Sequence, residues 1–308
     1  VQHKCATFAE AEMLAEAGVR DIFLAYNLVG PNIARAVSFQ AKYAQVRFAV
    51  TVDHPKMAAE LADAMVAASQ EILVYLDLDT GQHRTGLPVG PPALELFRIL
   101  VEAPGLQPAG LHVYDGQNHQ TSRDARASAV AEVWERVIRF RDRLVENGWQ
   151  VPKIVAGGTG TFPIFAELDD PTLLLSPGTC IFHDAQYEAV FPDLDFFPAA
   201  LLLTRVVSRP TPRIVTLDVG NKAVASDPPA EQRLVFPDLP DARIVVHNEE
   251  HLVIETAHAM SYQPGDTVLA IPWHICPTSA LHKQAHVVSG GRITDRWDVK
   301  ARDRWLTI

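Results

Sequence analysis

Seven short apolar runs, separated by amphipathic stretches, fill the first 180 residues of the chain and constrain its fold more than any other feature. The runs have the composition of β-strands, whereas the stretches between them place apolar residues about 3.6 apart, as helices do. Two of those stretches end at Gly18 and Gly148, and glycine is typical of a helix C-terminus. Alternation of strands and helices predicts a parallel sheet. The seven runs lie at 3–7, 21–26, 46–52, 71–79, 107–114, 153–159 and 172–178.

A closed βα barrel has eight strands, one more than the number of runs found here. The pattern therefore predicts either an open sheet or a barrel whose first strand is absent from this chain. After about residue 195 the apolar runs are separated by Pro, Gly and Asp turns, without clear helices. This pattern favours an antiparallel β domain. We assign residues 1–195 to the βα domain and 196–308 to the β domain.

Charge and cysteine content restrict the partners of the chain. A formal net charge of -10 argues against nucleic acid and anionic membrane surfaces, because both require a basic face. No apolar run approaches the ~20 residues of a membrane span. Cys5, Cys180 and Cys276 are not a disulfide framework, which favours a reducing cytoplasm, although a chain that opens without Met could have lost a leader. We expect a small-molecule partner.

A glycine-rich turn, IVAGGTGTFP, follows the sixth run. Gly157, Gly158 and Gly160 permit close approach of the backbone, and Thr159 adds a hydroxyl donor. Free N–H groups at the start of a following helix favour an anion. Barrel enzymes commonly bind phosphate after their last two strands, so we expect the loop at 176–180 to neighbour this turn. A tight turn without a ligand is the alternative.

His274 and Cys276 lie two residues apart in DTVLAIPWHICPT, and an extended backbone would direct both side chains to one face. An imidazole and a thiolate suit a zinc-like ion, and two protein ligands leave positions open for water and substrate. Pro272 and Pro277 bracket the pair and indicate a fixed loop. We interpret the pair as ligands of a catalytic metal; a buried cysteine beside a hydrogen-bonded histidine is the alternative.

Polar residues follow the fourth run, at a strand end where barrel enzymes place catalytic groups. The candidates there are Asp77, Asp79, His83 and Arg84. We favour Arg84, because its guanidinium would neutralise a phenolate or a carboxylate. A salt bridge at the rim of the domain is the alternative.

The fifth run ends in a second polar segment, HVYDGQNHQ. Tyr114 is a candidate for stacking on an aromatic cofactor, and Gln117 and His119 are candidates for contact with substrate; a simple turn accounts for the segment equally well. Tyr187, just beyond the second glycine loop, is a further candidate for the cofactor. We assign structural roles to three other histidines: His112, His183 and His247.

Taken in order, these segments resemble the D-threonine aldolase and D-serine dehydratase family of enzymes, which use pyridoxal 5'-phosphate (PLP) and share the alanine-racemase barrel. The resemblance covers essentially the whole chain. It implies a PLP-binding (β/α)8 barrel, whose first strand is absent here, and a C-terminal antiparallel β domain. The segments that carry it are FAEAEMLAEAGVRDIFLAY, GPNIARA, DLDTGQHRTG, HVYDGQNHQ, GGTGT, SPGTCIFHDAQY and HICPT.

The same resemblance implies roles for individual residues. Arg84 and Tyr114 would lie near the pyridine ring of PLP, and His274 with Cys276 would hold a divalent metal, zinc or manganese. Four residues of the two glycine loops would bind the phosphate: Gly158, Thr159, Gly178 and Thr179.

The chain departs from the family at the Schiff-base lysine. In the family this lysine ends the first barrel strand, in a segment like RPH-K-TH-K, and no such segment is present. Lys4 belongs to the run that matches the second strand and Lys222 to the β domain, so neither is assigned to the cofactor. We expect roughly sixty to eighty residues to precede residue 1 in the complete enzyme, which also accounts for the missing strand. A lysine-free pseudoenzyme is the alternative.

The resemblance implies a lyase for D-configured β-hydroxy amino acids, with PLP as the electron sink and the metal on the β-hydroxyl. Removal of the hydroxyl proton would break Cα–Cβ and give glycine plus an aldehyde, as in an aldolase. Loss of the α-proton and hydroxide would give a keto acid and ammonia, as in a dehydratase of D-serine or D-3-hydroxyaspartate. HICPT favours the dehydratase and the other segments favour the aldolase, which we place first. A metal-free racemase and a non-catalytic PLP-binding protein are alternatives, and a homodimer is expected.

Overall fold

The computed structural model describes residues 2–308, which divide into two compact units. The first unit consists of residues 2–177 together with the C-terminal residues Asp303–Ile308. The second unit is Gly178–Arg302. Each unit has its own sheet and its own buried core.

The segment 178–195 packs within the second unit, although the sequence predicts the domain junction at residue 195. The Asp184 carboxylate accepts a hydrogen bond of 3.0 Å from the backbone N–H of Ile275. The N–H of Gln186 donates to the carbonyl of Trp273 at 3.2 Å. Long-range hydrogen bonds of this kind decide where the segment belongs, and they leave no local signature in the sequence.

Seven parallel strands form the main sheet of the first unit, and a two-residue strand, β5, pairs with one of them. The strands are β1 (His3–Cys5), β2 (Asp21–Asn27), β3 (Arg47–Val52), β4 (Ile72–Asp79), β5 (Leu87–Pro88), β6 (Leu106–Tyr114), β7 (Lys153–Ala156) and β8 (Leu173–Leu175). Their order is β1-β2-β3-β4-β6-β7-β8. Each long strand corresponds to one apolar run, so the predicted seven-stranded parallel sheet is confirmed.

Helices follow the strands, as the alternation in the sequence predicts. They are α1 (Phe8–Glu16), α2 (Pro31–Lys42), α3 (Pro55–Ala67), α4 (Pro91–Glu102), α5 (Arg123–Glu146) and α6 (Phe162–Phe165). A capping box begins α1, because Thr7 and Glu10 exchange side-chain to backbone hydrogen bonds. Gly18 and Gly148 follow the ends of α1 and α5 with positive φ, which confirms the predicted helix ends. Within residues 2–308 no helix is long and apolar enough to cross a membrane.

Side chains on the strands alternate between the two faces of the sheet. On β2, Ile22 and Leu24 pack with the helices in the large core, whereas Phe23 lies on the opposite face. There it joins a small cluster that includes Tyr75 of β4 and Val155 of β7. Polar side chains that follow Tyr75 at a spacing of two therefore point away from the helices.

The second unit is an antiparallel β structure, which confirms the predicted fold of the C-terminal part of the chain. Its strands are β9 (Leu202–Thr211), β10 (Ile214–Leu217), β11 (Leu234–Val235), β12 (Arg243–His247), β13 (Leu252–Glu255), β14 (Thr267–Pro272), β15 (Gln284–Ser289) and β16 (Arg292–Asp298). Six of them form one sheet in the order β11-β14-β9-β10-β13-β12, and β15 pairs with β16. Two short helices, α7 (Ala185–Val190) and α8 (Ile275–Ser279), complete the unit.

We expect Leu100→Ala to destabilise the protein far more than Val101→Ala, although the two residues are neighbours on α4. Leu100 is fully buried between helix and sheet, so its truncation leaves a cavity that costs about 2–5 kcal/mol. Val101 is 39% exposed, and its truncation should change the free energy of unfolding by only about 0.5 kcal/mol. Urea unfolding of both variants measures the difference, and equal losses would contradict this account of the core.

Candidate active site and metal-binding residues

Two cationic side chains lie against the ring of Tyr114, the last residue of β6, in the first unit. The guanidinium carbon of Arg84 is 4.6 Å from the ring centroid, and Nζ of Lys4 is 5.7 Å from it. A cation near an aromatic face is attracted by the ring quadrupole. The arrangement gathers positive charge around an aromatic platform, which suits an anionic, planar ligand.

Lys4 belongs to this cluster, although the sequence assigns it no role. Its Nζ donates to the hydroxyl of Ser176 at 3.2 Å. Desolvation by the surrounding protein lowers the pKa of Lys4 to about 8; Asp77 opposes this change and Arg84 adds to it. The signal for Lys4 in the sequence is strand alternation: its neighbour Cys5 packs in the helix-side core, so Lys4 points to the other face.

Asp77 and His112 form a buried pair on β4 and β6. His112 Nδ1 lies 2.7 Å from Asp77 Oδ1, and both residues are 4% exposed. A carboxylate only accepts hydrogen bonds, so Nδ1 carries the proton and Nε2 is an acceptor. Burial lowers the pKa of His112 and favours the neutral ring, although Asp77 opposes this change. Nε2 has no hydrogen-bond partner among residues 2–308, which leaves a buried acceptor for a bound ligand.

Asp79 and His83 shape the loop that carries Arg84. Asp79 Oδ1 accepts from the backbone N–H groups of Gly81 and His83, and its Oδ2 lies 2.7 Å from His83 Nδ1. Burial opposes ionisation of Asp79, but these hydrogen bonds outweigh it and lower its pKa. Gly86 closes the loop with φ of +95°, and a Cβ there would lie 2.6 Å from the backbone N of Asp79.

The glycine turn after β7 lies beside Tyr114. Gly157 has φ of +77°, and a Cβ on it would meet Phe162 Cα at 3.1 Å, so this position requires glycine. A Cβ on Gly158 would lie 3.6 Å from the Tyr114 ring. The N–H of Gly158 donates to Asp115 Oδ1 at 3.2 Å, so this predicted phosphate donor has a carboxylate partner.

The threonines of this turn are buried, at 3% exposure for Thr159 and 2% for Thr161. The helix that follows, α6, has only four residues, so its dipole adds little to anion binding. The phosphate roles of Gly157, Gly158, Thr159 and Gly160 therefore stay predictions that depend on backbone and hydroxyl donors.

Gln117 and His119 follow Tyr114 in the same segment. Gln117 Nε2 donates to the carbonyl of Thr80 at 3.2 Å. Its buried Oε1 has no hydrogen-bond partner within the described part of the chain. His119 is exposed to solvent. Their contact with substrate stays a prediction.

His274 and Cys276 lie in the second unit, at the start of α8. The extended conformation predicted for these residues is wrong: β14 ends at Pro272, His274 caps the helix with an extended backbone, and Cys276 is helical. Pro277 is accommodated because it lies in the first turn, where its missing N–H has no intrahelical partner. The hydroxyl of Thr278 donates to the carbonyl of His274 at 2.7 Å and fixes the start of the helix.

The side chains of His274 and Cys276 nevertheless meet and share a hydrogen bond. Their mutual hydrogen bond, reinforced by Asp227, raises the pKa of His274 to about 9. The same hydrogen bond lowers the pKa of Cys276, and the hydroxyl of Thr179 lies 3.5 Å from Sγ. His274 Nδ1 is 2.6 Å from Asp227 Oδ2. A thiolate and an imidazole that meet in this way match the ligands that zinc-like ions prefer.

The metal would have two protein ligands at this position. Within the described residues no group of three His, Cys, Asp or Glu side chains is placed to hold a metal ion. Imidazole and thiolate converge, and each loses its proton when a metal binds. The donor set fits a divalent ion that also takes ligands from water or substrate.

The second glycine loop, at 176–180, crosses the boundary of the units, and Gly178 and Thr179 belong to the second unit. Gly178 precedes a 3-10 turn at Thr179–Ile181. The hydroxyl of Thr179, a predicted phosphate donor, contacts Sγ of Cys276 at 3.5 Å. Tyr187 lies on α7, where its N–H donates to Asp184. The cofactor roles of Gly178, Thr179 and Tyr187 stay predictions.

The three histidines with predicted structural roles differ in their surroundings. His247 is satisfied, with Arg233 at 3.2 Å from Nδ1 and the Val219 carbonyl at 3.2 Å from Nε2. His183 is 1% exposed and neither ring nitrogen has a hydrogen-bond partner in residues 2–308. His112 has one partner, Asp77, and one unsatisfied nitrogen.

A parallel βα sheet with a polar cluster at its strand ends, joined to an antiparallel β unit, defines the fold of the alanine-racemase-like enzymes. Residues 3–186 match the family model described as "Alanine racemase, N-terminal domain". Residues 199–288 match the model described as "Putative serine dehydratase domain". The chain belongs to this family of PLP-dependent enzymes, and the predicted family is confirmed.

Named relatives extend over nearly the whole chain. A D-threonine aldolase from Arthrobacter sp is 30% identical over 307 residues, which cover 97% of this chain and 78% of the relative. A 3-hydroxy-D-aspartate aldolase from Paracoccus denitrificans is 26% identical, with the same coverage. The crystal structure of D-threonine aldolase from Filomicrobium marinum superimposes with a TM-score of 0.91 at 27% identity, over 98% of this chain and 82% of that one.

We expect His274→Gln to slow alkylation of Cys276 in the metal-free protein. The hydrogen bond from His274 lowers the pKa of the Cys276 thiol, so loss of the imidazole raises that pKa. The fraction of reactive thiolate at pH 7 then falls, by about tenfold when the pKa of a mostly protonated thiol rises by one. Iodoacetamide labelling followed by peptide mass spectrometry measures the rate. His251→Gln, at an exposed histidine of the same unit, is the matched control. Cys5 should stay unlabelled, because burial raises the pKa of its thiol. An alkylation rate of Cys276 that His274→Gln leaves unchanged would contradict the hydrogen bond between the two side chains.

Proposed function

We propose that the chain is a lyase that uses PLP and a divalent metal to cleave D-β-hydroxy amino acids, with D-threonine as substrate and glycine and acetaldehyde as products. The similarity to two aldolases across 97% of the chain carries this proposal. The polar cluster around Tyr114 and the hydrogen-bonded pair of His274 and Cys276 supply groups of the required chemistry.

The residues around Tyr114 fit PLP. Its phenolate and phosphate are anionic, and Arg84 and Lys4 provide positive charge on the face of the Tyr114 ring. The buried Nε2 of His112 provides an unsatisfied acceptor beside them. When bound, PLP supplies an electron sink for the bonds at Cα of an amino acid. Within the first unit, Gly158, Thr159 and Gly160 are our candidates for phosphate donors. Gly178, Thr179 and Tyr187 keep the cofactor roles that the family resemblance implies for them.

Arg84 has the clearest role among these side chains. Its planar guanidinium presents a fork of N–H donors and positive charge to negative groups of the ligand. The Asp79 hydrogen bonds hold the loop on which it lies. Ligand binding therefore requires little reorganisation of Arg84.

His274 and Cys276 would hold the metal, zinc or manganese. A bound divalent ion lowers the pKa of a hydroxyl that it contacts, which is the chemistry needed to activate the β-hydroxyl of the substrate.

We further propose that the enzyme is a homodimer and that it works in a reducing cytoplasm. The three free cysteines at positions 5, 180 and 276 suit a reducing compartment.

Dehydration is the second candidate reaction, with D-serine or D-3-hydroxyaspartate as substrate and a keto acid and ammonia as products. The match of residues 199–288 to the serine dehydratase model favours it. The cysteine at position 276 adds support, because the family resemblance associates an HxC pair with dehydration. The two reactions differ in which bond breaks and have distinct products.

We expect the full-length protein, supplied with PLP and Mn²⁺, to convert D-threonine to glycine and acetaldehyde. Product analysis by chromatography, with Zn²⁺ in parallel and D-serine as a second substrate, separates the two reactions. Glycine supports the aldolase, whereas keto acid and ammonia support the dehydratase. Turnover that survives both exhaustive chelation and His274→Ala would reject the metal in either reaction.

We expect Arg84→Ala to weaken PLP binding by about 10- to 100-fold, because a charge-assisted hydrogen bond contributes about 1.5–3 kcal/mol. Arg35→Ala removes the same charge from an exposed position on α2 and should leave binding unchanged. Absorbance titration with PLP measures both. Equal PLP affinity for Arg84→Ala and the unmodified protein would remove Arg84 from the cofactor site.

A further inference from the structure

Asp227 lies beside His274, but neither the sequence nor the family resemblance assigns it to the site. Its Oδ2 is 2.6 Å from His274 Nδ1, although the two residues are 47 positions apart in the chain. A carboxylate accepts hydrogen bonds only, so Nδ1 carries the proton in this contact. Nε2 is then the ring nitrogen available to a metal.

The backbone on both sides of Asp227 is held by one arginine. Arg233 Nε donates to the carbonyl of Pro228 at 3.0 Å, and Nη2 donates to the carbonyl of Ser226 at 2.9 Å. These two carbonyls flank Asp227 in the sequence. The turn that presents the carboxylate is therefore fixed at both ends.

Three further hydrogen bonds connect this turn to His274. The carbonyl of Arg233 accepts from the N–H of Trp273, the residue before His274, at 2.9 Å. The N–H of Ala225 donates to the hydroxyl oxygen of Thr278 at 3.1 Å, and that hydroxyl donates to the His274 carbonyl at 2.7 Å. The distance between carboxylate and imidazole is thus set by the backbone on two sides.

We propose that Asp227 is a positioning residue for the divalent metal. It holds His274 with the proton on Nδ1 and directs Nε2 toward the same point as Sγ of Cys276. The inference rests on the proposed function, because it takes His274 and Cys276 as metal ligands. Histidine ligands commonly donate their other ring N–H to a carboxylate, and loss of that partner typically weakens metal binding about 10- to 100-fold.

A plain surface ion pair is the competing interpretation. The side chains of His274 and Asp227 are 33% and 52% exposed, and ion pairs at such positions contribute little to stability. A surface pair of that kind needs no fixed backbone around the carboxylate. The contacts of Arg233 and Thr278 provide that fixed backbone, which favours the positioning role.

Titration of the metal-stripped full-length protein with Co²⁺ alone tests the proposal. We expect Asp227→Asn to bind Co²⁺ about 10- to 100-fold more weakly than the unmodified protein, and Asp227→Glu to recover most of the affinity. The thiolate-to-cobalt charge-transfer band should persist at saturation, because Cys276 is unchanged. Asp238→Asn, at an exposed carboxylate of the same unit, removes the same charge and should bind normally.

Equal Co²⁺ affinity for Asp227→Asn and the unmodified protein would overturn the positioning role. The same conclusion follows if Asp238→Asn loses as much Co²⁺ affinity as Asp227→Asn, or if Asp227→Glu binds Co²⁺ no better than Asp227→Asn. Circular dichroism identifies any variant that is unfolded, and Asp227→Glu then decides. If the unmodified protein takes up no Co²⁺, or His274→Ala takes it up normally, the metal assignment in the proposed function fails and the inference fails with it. If His274→Ala loses Co²⁺ binding while Asp227→Asn binds Co²⁺ normally, the inference about Asp227 fails and the metal assignment stands.

Discussion

The alternation of side chains along parallel strands is the constraint on which the first unit depends. Each strand must send one set of side chains into the core beneath the helices, where Ile22 and Leu24 are buried, and the other set to the opposite face. Both faces of a parallel sheet need cover, so apolar residues such as Phe23 fill most of the second face. Near the strand ends that cover becomes polar, and a ligand can then take its place.

Electrostatics at those strand ends follows from desolvation and close charges. Lys4 and Arg84 repel each other, and desolvation disfavours the Lys4 ammonium, while Asp77 offsets part of both effects. The neutral His112 takes no share of the charge but leaves one buried acceptor without a partner. An anionic ligand would relieve the repulsion between the two cations, and a donor on it would satisfy the acceptor.

The second unit brings together two side chains, the imidazole of His274 and the thiol of Cys276, which are our proposed metal ligands. The hydrogen bond between His274 and Cys276 raises the pKa of the imidazole and lowers the pKa of the thiol. A metal ion bound by both side chains would displace the proton of the hydrogen bond between them. The imidazole and the thiol therefore lie together before a cation binds. Hydrogen bonds from Thr278 and to Asp184 hold the backbone, and the side chains therefore need little rearrangement.

The sequence by itself determined the seven parallel strands, the capped helices, the antiparallel second unit and the family, because periodicity, caps and ordered motifs are local properties of the chain. It also identified Arg84, Tyr114 and the His274–Cys276 pair as candidate site residues. Only the tertiary structure decided that α8 begins at Ile275, that residues 178–195 pack with the β unit, and that Lys4 lies near Tyr114. The contact between Asp227 and His274 was likewise decided only by the tertiary structure. These features depend on hydrogen bonds and charges between residues far apart in the chain, and such contacts have no periodic signature.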